Sequence, residues 1–98
     1  MADSPLTPEQ EIIRAGKARE ILEHELFKEA VEAIREGLKD ARLNSAATAI
    51  DLREKLWAQE LALEAILKHI RTHIETGMLA EEELRRKSLL EDVKSFFN

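Results

Sequence analysis

Both prolines of this chain, Pro5 and Pro8, fall within its first eight residues, and beyond them only Gly16, Gly37 and Gly77 oppose a continuous helix. Proline and glycine are the strongest local breakers of regular structure, so long α-helices are the default from Thr7 onward. Hydrophobic residues make up 44% and charged residues 36%, a mix that suits exposed helices better than a thick globule. A chain of 98 residues fits one domain or less. A domain that small buries a modest share of its surface, so partners often complete its core.

Residues 1–7 read as a disordered lead, followed by a single helical domain over 8–98. Thr7-Pro8-Glu9-Gln10 supplies an N-cap, a proline at the first helical position, an acid in the first turn and a glutamine where a capping box needs one. One straight helix from Pro8 to Leu43 fits poorly. The broad face of Leu26, Phe27, Ala30, Val31, Ala33, Ile34, Leu38 and Ala41, projected back at ~100° per residue, would carry Arg19 and Glu23 near its centre. The phase change predicts a break near His24, giving helices over 8–23 and 25–43, although histidine is a poor N-cap.

Asn44 can adopt the left-handed conformation that ends helices, and Ser45 or Thr48 can cap the next one. A helix over 47–76 follows, with Ala49, Leu52, Leu56, Leu63, Ile66, Leu67, Ile70 and Ile74 on one face. Gly77 stands where a C-cap would end it, and Glu81-Glu82-Glu83 would open a last helix over 81–96. The expected fold is all-α: a long antiparallel helical hairpin with a kinked first arm and a short third C-terminal helix.

The net charge of −5 opposes binding to phosphate, where affinity comes from basic groups displacing counterions. Cysteine is absent, which removes disulfides and thiolate chemistry and fits a reducing compartment. No apolar run approaches the ~20 residues that span a bilayer, and Met1-Ala2-Asp3-Ser4-Pro5 lacks the basic and apolar regions of a signal peptide.

Few residues suggest chemistry. His69 and His73 stand four apart on one face, a metal-ligand spacing, but a third ligand is missing and Ile70 stands where HExxH has its glutamate; two surface histidines are the plainer reading. Acids are plentiful without a dry pocket to perturb them, no serine has a recognisable His and acid partner, and no phosphate loop exists. Neither catalysis nor a cofactor is expected. Arg85-Arg86-Lys87, the one basic run, could contact nucleic acid together with Lys68 and Arg71, or pair with the glutamates one turn earlier.

The surplus of apolar surface says more. Ile50, Trp57 and Leu61 cluster opposite the main face of their helix, so the last helix folds over them, another subunit does, or they stand as isolated exposed residues. The face carrying Leu26, Phe27, Val31, Ile34 and Leu38 spans about 180°, more than one partner helix covers. Phe96 and Phe97 either seal the end of the fold or dock on a partner. A homo-oligomer is the economical expectation, with these ten residues as its contacts.

The segments Ala18–Ala30, Arg53–Trp57 and His69–Ala80, in that order, resemble short helical proteins encoded near the head and packaging genes of tailed bacteriophages. The body is similar to the helical oligomerisation core of small terminase subunits, which form rings that recognise viral DNA and regulate the large packaging ATPase. The resemblance implies a phage assembly protein in the cytoplasm of a bacterial host, meeting a second assembly or packaging protein. Members of that family usually carry an N-terminal helix-turn-helix, whereas six residues precede the capping Thr7 here and the charge is negative. Assembly therefore carries over more readily than DNA reading.

Overall fold

The computed structural model describes residues 5–97, and every regular element in that span is an α-helix: α1 (Pro8–Glu23), α2 (Glu25–Leu43) and α3 (Ile50–Phe97). The start of α1 is fixed by a reciprocal pair. Thr7 Oγ1 accepts from the Gln10 amide at 3.2 Å, and Gln10 Oε1 accepts from the Thr7 amide at 2.9 Å. Two of the donors that any helix start leaves unmatched are thereby satisfied.

One residue separates α1 from α2. His24 is extended (φ −68, ψ 127), and its Nδ1 accepts from the Leu26 amide at 3.2 Å. The imidazole thus serves as an N-cap, a role that residue statistics assign to Ser, Thr, Asp or Asn. At the other end of α2, Asn44 is right-handed rather than left-handed, with φ −88 and ψ −3. Its amide donates to Asp40 O, and the Ser45 hydroxyl donates to Arg42 O at 2.6 Å. Ser45 therefore closes α2 instead of opening α3. Its Oγ also accepts from Arg53 Nε at 3.1 Å, which ties the turn to the first turns of α3.

The expected stop at Gly77 and the separate helix over 81–96 are not found. α3 runs unbroken for 48 residues, roughly 70 Å at ~1.5 Å per residue. Gly77 is buried in the helix and its φ is not positive. Its role is close approach: a Cβ built there would overlap the Ala15 Cβ and lie 3.2 Å from the Glu11 carbonyl oxygen. Glycine here makes room for α1 rather than ending α3.

The chain divides into two compact units, residues 1–20 with 71–98, and residues 21–70. In the first, small residues make the contact, and Ala15, Ala18, Gly77 and Ala80 are buried. From Arg85 to Phe97 every residue is exposed. In the second, Leu38, Leu56 and Leu67 are buried, with Phe27, Val31, Leu63 and Ile70 half-buried around them. Arg35 pairs with Glu64 at 2.9 Å and Arg42 with Glu60 at 2.7 Å, so the contacts step in opposite directions along α2 and α3. The strip of α3 that is covered is narrower and shorter than its apolar face, for Ile66 at the edge of that face and Leu52 near the start of the helix are exposed.

Gly37 and Gly77 should respond oppositely to alanine. Nothing lies within 4 Å of a Cβ at Gly37, so Gly37→Ala should gain the helix-propensity difference of ~1 kcal/mol and raise the melting temperature by several degrees. Gly77→Ala gains the same propensity but must push Ala15 and the Glu11 carbonyl away, so its melting temperature should fall. Thermal denaturation followed by circular dichroism measures both.

Candidate functional site

The residues expected to make contacts fall into three groups. On α2, Leu38 is buried within the second unit, and Phe27 and Val31 are half-buried there. Leu38 is therefore core, a correction to its assignment as a contact residue: it lies on the strip of α2 that borders Leu63. Leu26 and Ile34, with Ala30 and Ala33, stay exposed. One neighbouring helix covers only part of a face this wide.

On α3, Ile50, Trp57 and Leu61 are 64%, 63% and 50% exposed. The helical period turns them about 120° from the Leu56–Leu67 strip that meets α2. Arg53 borders the cluster on one side, and Glu64 follows eleven residues later on the same flank.

The third group closes α3. Leu89, Leu90 and Val93 are more than half exposed, and Phe96 and Phe97 are 84% and 79% exposed, their rings edge to face with centroids 5.4 Å apart. The two phenylalanines therefore seal nothing within the described residues. Sequence reasoning also passed over Ile13, Leu43, Met78 and Leu79, all exposed. The uneven cover of each helix by a single neighbour is what leaves them out, a property that periodicity does not report.

The basic run is largely committed. Arg85 binds the Glu82 carboxylate, and Arg86 Nε lies 3.4 Å from the same group. The hydrogen bond from Arg85 holds the Glu82 carboxyl below its ordinary range, the charges of Arg85 and Arg86 add to this, and the same bond raises Arg85. These are exposed pairs on one helix, of the kind that contribute little to stability. They nevertheless lower the positive field that a phosphate would meet. Lys87, Lys68 and Arg71 are exposed on the same helix.

His69 and His73 both lie on α3, His73 half-buried. No three side chains of the metal-binding types converge among the described residues. A cleft of about 250 Å³ between α2 and α3 is lined by Arg35, Leu38, Lys39, Arg42, Glu60, Leu63 and Glu64, and is smaller than the ~300–1,000 Å³ usual for ligand pockets. Its Arg35–Glu64 and Arg42–Glu60 pairs turn its charges on one another. No described helix is long and apolar enough to cross a membrane. No protein-family model, curated protein or solved structure matches the chain. The most distinctive surface is apolar, and what it suits chemically is packing against another protein surface.

Two outcomes are expected. The Glu82 carboxyl, followed by carbon NMR, should titrate below the ordinary glutamate value, and Arg85→Gln should move its midpoint upward. The depressed value makes this pair's contribution present above the ordinary carboxylate range and lost as the pH falls through the folded-state value. Replacing Phe96 and Phe97 by serine should leave the melting temperature of the isolated chain nearly unchanged, within the ~0.5 kcal/mol typical of surface substitutions, because both rings are exposed.

Proposed function

We propose that this chain is a helical assembly protein that works as a homo-oligomer, similar in role to the small terminase subunits of tailed bacteriophages and acting through protein–protein contacts. One observation carries the reading: no large side chain is fully buried among the described residues, while large apolar side chains on all three helices stay exposed. Surface of that extent on a small chain costs free energy in water, at about 25 cal/mol per Å², and association removes the cost. In this reading a long antiparallel hairpin with a kinked first arm is the body. Ile50, Trp57 and Leu61 are its subunit contact, and the Leu89–Phe97 end meets a second assembly or packaging protein.

The setting proposed is the cytoplasm of a bacterial host, with no enzymatic activity. Nucleic-acid contact through Arg85, Arg86 and Lys87 is the weaker reading, because Glu82 already holds both arginines.

Light scattering coupled to size exclusion tests the proposal directly. A mass above that of one chain, rising with protein concentration across the micromolar range, is expected. A single-chain mass throughout overturns it. Electrophoretic mobility with duplex DNA at low salt should show no shift; a shift that weakens steeply with salt would favour the nucleic-acid reading instead.

A further inference from the structure

We propose that the exposed Ile50–Trp57–Leu61 face of α3 is completed by a second copy of this chain, the two helices pairing antiparallel about a two-fold axis level with Gln59. The inference rests on the oligomeric reading above and specifies which surface is used and how.

The face is complementary to itself. Trp57 and Leu61, 63% and 50% exposed, lie four residues apart and within about 40° around the helix. With the axis level with Gln59, Trp57 of each copy meets Leu61 of the other, twice. A tryptophan packed at the centre of a contact is among the residues that carry most binding energy in protein interfaces.

The charges select the same register. In a two-fold antiparallel pair, each flank of one helix faces the same flank of its partner. Residues sharing a flank must therefore carry opposite signs to attract. Arg53 and Glu64 are eleven residues apart and within about 20° of one angular position, so they share a flank. In the register set by Trp57 and Leu61, Arg53 comes within about one residue of level with Glu64 of the second copy, again twice. The alternative, a parallel pair, places like residues level and brings Lys68 against Lys68 on the seam, which like charge opposes, whereas the antiparallel register sets Lys68 against Ile50 of the second copy.

Both groups can serve more than one partner at once. Arg53 uses Nε for the Ser45 hydroxyl, and a guanidinium has further N–H donors. Glu64 accepts from Arg35 through Oε1, and a carboxylate accepts several bonds on its two oxygens. Arg35, Glu64 and Arg53 of the second copy would then form a network at the edge of the contact, where ion pairs set register and partner choice more than affinity.

Charge reversal across copies tests this. Arg53→Glu alone and Glu64→Arg alone should each shift the full-length chain toward single-chain mass in light scattering, because each places like charges face to face twice. Mixed in equal amounts, the two variants should recover the wild-type mass, since every facing pair is again of opposite sign. Mixing cannot repair a contact within one chain, so recovery separates the interface from a folding defect. Trp57→Ala, at a position exposed in the single chain, should keep the helical circular dichroism and weaken self-association about a thousand-fold, because both copies carry the change and each ~2 kcal/mol anchor lost is about thirty-fold. It decides the matter if Glu64→Arg fails to fold. Self-association of Trp57→Ala equal to wild type, or mixed variants that stay dissociated although folded, overturns the antiparallel contact while an oligomeric wild type stands. A wild type that is strictly a single chain overturns both.

Discussion

A helix packed against one neighbour hides only one strip of its girth, and most of this structure follows from that limit. On α3, Leu56 is buried while Trp57, the next residue and about 100° around the helix, is 63% exposed. On α2, Leu38 is buried while Ile34, one turn earlier, is half exposed. Fully burying a leucine stabilises by about 1.5–3 kcal/mol, and among the described large residues only Leu38, Leu56 and Leu67 come near that state. Such a core leaves little margin over the chain entropy that ordering costs. Apolar side chains left outside are therefore the main reserve of stabilisation, available only through another surface.

The first unit meets the same limit differently. Its contact is made by Ala15, Ala18, Gly77 and Ala80, which bring backbones close but remove little apolar area from water. Closeness here replaces bulk, and it is strict, since even one added methyl at Gly77 meets Ala15. Beyond this contact α3 continues through Arg85–Phe97 with every residue exposed. That segment is held as helix by continuation from a formed helix, whose nucleation cost is already met, and by pairs such as Glu82 with Arg85 and Arg86.

What the sequence made legible was local. The Thr7–Gln10 box and the interruption at His24 could be read from a few neighbouring residues and from helical phase. Gly77 could not. Glycine serves both as a helix stop and as a place of close approach, and the choice depends on Ala15, sixty-two positions earlier. The spacing Ala15-x-x-Ala18 against Gly77-x-x-Ala80 was the available signal, two small-residue faces able to meet. Asn44 was misread for a related reason: its left-handed option is a tolerance, and the Ser45 hydroxyl made it unnecessary by capping Arg42 O. Of the candidate contact residues, Ile50, Trp57, Leu61, Phe96 and Phe97 are exposed, whereas Leu38 is not. Periodicity locates an apolar face but does not say which edge of it a single neighbour will cover.

The exposed ion pairs are best understood as register marks. Arg35–Glu64 is exposed and Arg42–Glu60 is partly so, so each adds little to stability, yet together they mark how α2 lies along α3. Apolar strips alone slide, because leucine meets leucine almost as well one turn away, whereas a charge meeting its own sign is penalised. Arg53 and Glu64 lie beside the Ile50–Trp57–Leu61 strip of α3's first half, which stays exposed among the described residues. Glu64 therefore sits where the covered and uncovered strips adjoin, and whatever packs on Trp57 must also satisfy the charges at its edge. A surface that answers them is one carrying the same residues in reverse order, which this helix presents to a second copy of itself.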